Sequence, residues 1–193
     1  YKADILDRDA FEKELNELGS LRAKADAIRT RLAKSINTKY QENPAYYENF
    51  SKRIKEALEL YKARTITEAE YLAKMRDILE DYRTGKSAIA YPDRIRANVH
   101  AQAFYGVLTA IFSNEKLSVE PDFAAEMALD ITTIIEKHSQ VDWTHNLTIH
   151  DRISQDIDDL FYRYQKEKGL VLSFDVIDMI IENVKTVALR RFA

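Results

Sequence analysis

The sequence predicts an all-α protein, and three observations carry that prediction. Its 193 residues include only 4 Gly and 3 Pro, where usual rates of about 7% and 5% would place many more helix breakers. Every long segment repeats its apolar residues at spacings of three and four, and none alternates strictly. Thr67-Glu68-Ala69-Glu70 spells a capping box, in which the Thr hydroxyl takes the third amide and the Glu reaches back to the cap amide. The expectation is a single compact multi-helix domain of seven to eight helices over residues 1–193. It should hold over about 65% helix, double the usual rate, and no sheet. Residues 1–42 supply N-terminal helices, a hairpin able to protrude, that lead into a helical core over 43–193.

The elements follow in order. Asp9 is placed to cap a first segment carrying Phe11, Leu15 and Leu18, and Gly19 separates it from a second. There Leu21, Ala25, Ile28, Leu32 and Ile36 fall within a wedge of about 80° on a helical wheel. Pro44 marks a loop, because the residue before a proline is pushed out of the α region. Tyr47, Phe50, Ile54, Leu58 and Tyr61 line a third helix. The capping box opens a fourth, with Leu72, Met75, Leu79 and Tyr82, ended near Gly85. Tyr91-Pro92-Asp93 is the next punctuation.

The run Ala97–Asn114 is uncharged for eighteen residues, long enough to span a membrane. Asn98, His100 and Gln102, with no flanking anchors, favour a buried central helix instead. Gly106 in its middle costs about 1 kcal/mol relative to Ala, which close approach of another helix would compensate. Pro121 suits the first position of a helix carrying Phe123, Met127, Ile131, Ile134 and Ile135. Beyond a polar link over 139–144, Ile149, Ile153, Ile157, Leu160, Phe161 and Tyr164 form a stripe that Gly169 ends. Ser173 caps the last helix, with Asp175 in its first turn and Arg190 and Arg191 at its end, where the dipole favours each charge.

Several chemistries are excluded. With no Cys there are no disulfides, thiolate zinc sites or thiol nucleophiles, and a reducing compartment is expected. G-x-x-x-x-G-K-[ST], H-E-x-x-H, EF-hand and G-x-S-x-G motifs are all absent. The chain opens at Tyr1 with no signal-peptide pattern, so a fragment of a longer polypeptide is expected. His100 can be a ligand or base, or an ordinary core histidine; His145 and His150 are five apart and cannot share a metal on one helix. Carboxylates cluster at Asp151, Asp156, Asp158 and Asp159; Asp151 and Asp158 lie nearly on one helical line with Asp159 one residue further round, a spacing that can hold a divalent cation or form a solvated polar face. The reading assigns no catalytic residue and no metal ligand.

Net charge is −3, so nucleic acid can be met only by a local patch. From Leu21 to Lys39 six cations stand against Asp26 alone, among them Arg22, Arg29, Arg31 and Lys34. Arg83, Lys86, Arg94 and Arg96 form a second basic stretch. These are candidate phosphate contacts, with Arg22, Arg29, Arg31, Lys34, Arg94 and Arg96 foremost; solvated faces or stems beside the core explain them equally. Trp143, the only Trp, sits in the polar link with Asp142. It can plug the link onto the core while its N–H finds a partner, or serve with Asp142 as an interface anchor.

Several stretches, in this order, resemble a known family. They are Arg8-Asp9-Ala10-Phe11, Asn43-Pro44-Ala45-Tyr46-Tyr47-Glu48-Asn49-Phe50-Ser51, Thr67-Glu68-Ala69-Glu70-Tyr71-Leu72 and Ala103-Phe104-Tyr105. Val141-Asp142-Trp143-Thr144, Ile157-Asp158-Asp159-Leu160-Phe161 and the end from Leu172-Ser173-Phe174-Asp175 to Arg191 continue them. Together they resemble the C-terminal helical region of the motor/restriction (R) subunit of type I restriction–modification enzymes. The resemblance implies a parent that is an ATP-dependent DNA translocase and endonuclease, a type I site-specific deoxyribonuclease using ATP and Mg²⁺ in domains upstream. It implies a non-catalytic region, with no cofactor of its own, that helps attach the R subunit to the methyltransferase and specificity subunits. Weak, nonspecific contact with double-stranded DNA, no membrane, and a bacterial or archaeal cytoplasm are the further expectations. The alternative is a stand-alone helical domain that binds nucleic acid or protein.

Overall fold

Eight α-helices, joined in places by 3₁₀ turns, hold more than two thirds of residues 2–193, the residues described by this computed structural model, and none of these lies in a strand. Packing gathers them into two compact units, each with its own hydrophobic core. The first comprises the chain up to Tyr40 together with Tyr46–Ile89; the second comprises Gln41–Ala45 together with Ala90–Ala193.

The first unit contains α1 (Arg8–Asn16), α2 (Leu21–Lys39), most of α3 (Pro44–Lys62) and α4 (Glu68–Thr84). The apolar stripes of α1, α2 and α4 become its core, with α2 laid along α4. Leu21 is the exception on α2: it occupies the first helical position and is exposed, burial beginning one turn later. Asp7, not the expected Asp9, caps α1, its carboxylate accepting the Ala10 amide at 3.0 Å. Asp9 instead lies in the first turn, where the helix dipole favours negative charge. The Thr67–Glu70 capping box is present, and α4 ends on Gly85 with φ at 74°, a left-handed conformation that costs Gly little. Pro44 opens α3. This helix packs through rings, Phe50 meeting Tyr82 edge-on at 5.4 Å and Tyr61 stacking on Tyr71 at 4.6 Å.

The second unit is built around α5 (Val99–Asn114), onto which α6 (Pro121–His138) and α8 (Phe174–Arg191) both pack, with α7 (Leu147–Lys168) against α6 and α8. Six buried residues in a row, Ala103–Leu108, defy a one-sided stripe, and all but one position over Ala101–Leu108 is buried. The apolar run is therefore a central helix. No helix among the described residues is long and apolar enough to cross a membrane. Pro121 stands at the start of α6, and Ser173 accepts the Val176 amide at 3.2 Å to cap α8.

Gly106 has its compensation. A Cβ built there would lie 2.7 Å from the Cβ of Ala45, which with Asn43 belongs to the strip 41–45 of this same unit. Overpacking of this kind costs about 1–3 kcal/mol, against about 1 kcal/mol that Ala gains over Gly in a helix. Gly106→Ala should therefore lower the melting temperature. In an Ala45→Gly background the nearest remaining atom is Asn43 Oδ1 at 3.6 Å, and there the same substitution should raise it. Calorimetric melting of the four proteins in this cycle checks both signs.

Candidate nucleic-acid and partner interfaces

The cations of α2 divide by what they touch. Arg31 donates to the Ala3 carbonyl at 2.6 Å and to the Glu14 carboxylate, and its guanidinium lies over the Phe11 ring. Glu14 in turn accepts the Ala3 amide at 3.0 Å. Arg31 thus ties the N-terminal strip and α1 to α2. Arg29 Nε donates to the Tyr71 hydroxyl at 3.2 Å, and that hydroxyl donates to Asp26 at 3.1 Å. Burial pushes the Tyr71 phenol up, so it stays protonated and bridges α2 to α4. Arg22 is largely exposed, with Asp26 at 3.6 Å, an i,i+4 pair worth little in water. Lys34 is exposed and lines, with Lys2 and Lys39, an open groove of about 430 Å³.

In the second basic stretch, Arg94 and Arg96 each have a carboxylate partner. Arg94 makes a two-pronged contact with Asp122 at 2.9 and 2.7 Å, pinning the 3₁₀ turn Asp93–Ile95 to the start of α6. Arg96 pairs with Asp93 three residues back. Arg94 and Arg96 belong to the second unit, whereas Arg22, Arg29, Arg31 and Lys34 belong to the first. Within the first unit only Arg22 and Lys34 of the expected phosphate contacts keep a largely exposed head.

Trp143 opens a 3₁₀ turn, Trp143–His145, and is 2% exposed. Its indole N–H donates to the Phe192 carbonyl at 3.0 Å, and its own carbonyl accepts the His150 ring N–H at 3.0 Å. The plug is thus a core residue of the second unit that ties the link to the end of α8. Around it the surface is open: Val141 is 90% exposed and Asp142, with φ at 60°, is exposed in a left-handed turn. Phe192 also stacks on Phe104 and lies 4.3 Å from the His100 ring. Arg191 donates to His100 Nδ1 at 2.9 Å and to the Glu42 carbonyl at 2.8 Å.

The histidines do not converge. His100 sits in this latch of Phe192 and Arg191 over the start of α5, His138 contacts Asp156 at 2.6 Å, and His145 is exposed. Among the described residues no group of three or more His, Asp or Glu is placed to hold a metal ion. What the sequence reading missed is apolar. Phe174, at the first position of α8, is 86% exposed, and Tyr162 on α7 is 59% exposed. Stripe counting assigns both to a helix but does not say that neither stripe covers them.

The sequence family described as type I restriction enzyme HindI endonuclease subunit-like, C-terminal, matches residues 2–188. A similar protein is the type I restriction enzyme HindI endonuclease subunit of Haemophilus influenzae, 25% identical over 127 residues. That alignment spans 66% of this chain but 12% of the relative's length. No solved structure matches the chain.

Two measurements test the latch. Trp143→Ala should destabilise by about 3–5 kcal/mol, as large-to-small core changes do, and the native indole emission should be blue-shifted. A red, easily quenched emission would contradict its burial. Burial, reinforced by Arg191 and opposed by Glu136, holds the His100 imidazole below its ordinary range. The folded ring is then neutral where the unfolded one, near pH 6.5, takes a proton. Stability should therefore fall as pH drops below about 6.5 toward the depressed folded value, and be flat with respect to this group above it. His100→Gln should remove that part of the pH profile in urea melts.

Proposed function

Because the chain belongs to the type I restriction enzyme HindI endonuclease subunit-like C-terminal family, we propose that it is a non-catalytic assembly domain that helps attach its parent subunit to the methyltransferase core. The observation that carries this reading is where large apolar side chains are left. In the second unit Val141 and Leu147, flanking the buried Trp143 in sequence, stand mostly in solvent, as does Phe174 at the start of α8, and large apolar side chains left exposed favour a protein partner. Polar groups able to do chemistry are meanwhile engaged in holding helices together, as Arg31, Tyr71, Arg94 and His138 are.

The parent, in this reading, is a type I restriction endonuclease acting with methyltransferase and specificity subunits in a bacterial or archaeal cytoplasm. Its ATP and Mg²⁺ would be held elsewhere in that parent. This chain has neither a Gly-rich phosphate loop nor, among its described residues, a set of carboxylates placed around a cation, so its residues do not fit those groups. Contact with DNA is a subsidiary role, resting on Arg22 with the groove of Lys2, Lys34 and Lys39. Few exposed cations and a net negative charge favour an affinity of about 10⁻⁴ to 10⁻⁶ M without base preference.

The charge reversal that tests this must leave the structural arginines alone. Arg22→Glu with Lys34→Glu should weaken duplex binding and reduce its salt slope, while the melting temperature and co-purification with the methyltransferase persist. Deleting this region from the parent should leave its ATPase intact and abolish co-purification. Retained co-purification after the deletion would sink the assembly reading, and unchanged DNA affinity in the double variant would sink the DNA contact.

A further inference from the structure

We propose that the groove between α7 and α8 of the second unit is a docking site for a cationic helix with an apolar face, carried by a partner protein. The groove holds about 450 Å³, with Phe161, Leu170, Leu172 and Ile177 forming its floor and Tyr162 and Phe174 rising as its walls. Both aromatics are exposed although each offers a large apolar surface, and such side chains are the usual anchors of protein interfaces. Two helices flanking an apolar trough give the geometry in which a third helix lays one face into a groove, reading it at i, i+3 and i+4 spacing.

The rim specifies the partner's charge. Asp158, Asp159 and Asp178 all line the groove. Asp159 accepts from Gln155 at 2.9 Å, but neither Asp158 nor Asp178 has an ion pair among the described residues. Burial pushes the Asp158 carboxyl up, and Asp178 and Asp159 push it further, so these like charges already oppose one another. Lysines or arginines beside the apolar face of an incoming helix would relieve that repulsion. Several cations of α7 and α8 are otherwise occupied, Arg163 on Asp130 at 3.4 Å, Lys166 over the Tyr162 ring at 4.7 Å and Lys185 on Glu182 at 3.0 Å. The same rim argues against the competing occupants. Phosphates would be repelled, and a second copy meeting face to face would set carboxylate against carboxylate. A small molecule would leave Phe174, 86% exposed, standing in water.

The groove's partner is identified here by chemistry, and only its identification with the methyltransferase rests on the assembly reading. The probe is a synthetic helical peptide with Leu at i, i+4 and i+7 and Lys on the flanking positions, beside a twin with Glu for Lys. Anisotropy titrations against the 193-residue chain should show binding of the Lys peptide that weakens as salt rises and little binding of the Glu twin. Phe174→Ala, an exposed change that should leave melting unaltered, should weaken the Lys peptide by about tenfold or more. Asp158→Asn with Asp178→Asn should flatten the salt dependence without lowering the melting temperature. Equal binding of the two peptides, no binding of either, or indifference to Phe174→Ala overturns the proposal, as does a dimer in sedimentation that Phe174→Ala dissolves. The methyltransferase arm separates the two readings. If it co-purifies with wild type and with the Phe174→Ala variant alike, the groove's identification with the methyltransferase fails and assembly stands. If it never co-purifies while the peptide discriminates as described, assembly fails and the groove stands.

Discussion

Much of the second unit follows from one constraint: α5 has no polar face to give to water. Buried residues run around it from Ala101 to Phe112, so apolar neighbours must surround it. α6 and α8 supply most of that cover, each with a stripe that is one-sided and leaves its opposite face for charge. At roughly 25 cal/mol per Å² of apolar surface removed from water, a helix with buried residues on most of its circumference contributes more per residue than a surface helix with one buried stripe. The same constraint makes small residues necessary. Ala101 and Ala103 are fully buried and Gly106 lies against Ala45, and a bulkier side chain there would push the cover away.

The first unit shows a different balance, because its surface helices are heavily charged. Its long-range polar contacts are made by guanidinium groups that reach across helices: Arg31 to Glu14, Arg53 to Asp81, Arg76 to Glu12. Arg31, and with it Arg83, whose Nε donates to the Ile5 carbonyl at 2.6 Å, also lies over the ring of the buried Phe11. A guanidinium suits this work, since its planar fork can hold a carboxylate or carbonyl while its face rests on an aromatic ring. A basic helix in sequence is therefore only partly a basic surface. Of the six cations of α2, Arg29 and Arg31 serve to fix the elements around it.

Most of the fold was legible because helices announce themselves locally. The Thr67–Glu70 box, Ser173 before Val176, Pro121 at a first turn and glycines after the last turn each act within four residues, and periodicity at 3.6 needs only a single turn to recur. Asp7 and Asp9 show the limit: either could cap α1, and backbone geometry, not residue type, chose Asp7. The buried state of Trp143 was foreseeable from its single polar atom, which needed a partner, though nothing local points to the Phe192 carbonyl. Sites fared worse for a physical reason. Whether Arg31 faces solvent or Glu14 depends on which helix packs beside it, and the exposure of Phe174 depends on what fails to pack there. Those are facts about pairs of elements, and a single stripe carries no information about its mate.

The strip Gln41–Ala45 also sets an order on the making of the molecule. It leaves the ribosome between α2 and the body of α3, yet its contacts, with Gly106 and with Arg191, come from segments synthesised much later. At roughly 5–20 residues per second, all of α3 and α4 is made before Gly106 appears, and nearly the whole chain before Arg191 does. The first unit has its residues in hand by Ile89, so it can collapse while the strip still waits for its seat. The second unit is then the last to close. A nascent chain stalled anywhere in α6 or α7 would carry a finished first half beside an α5 still lacking α8, and that half-clad helix is the form a chaperone would have to shelter.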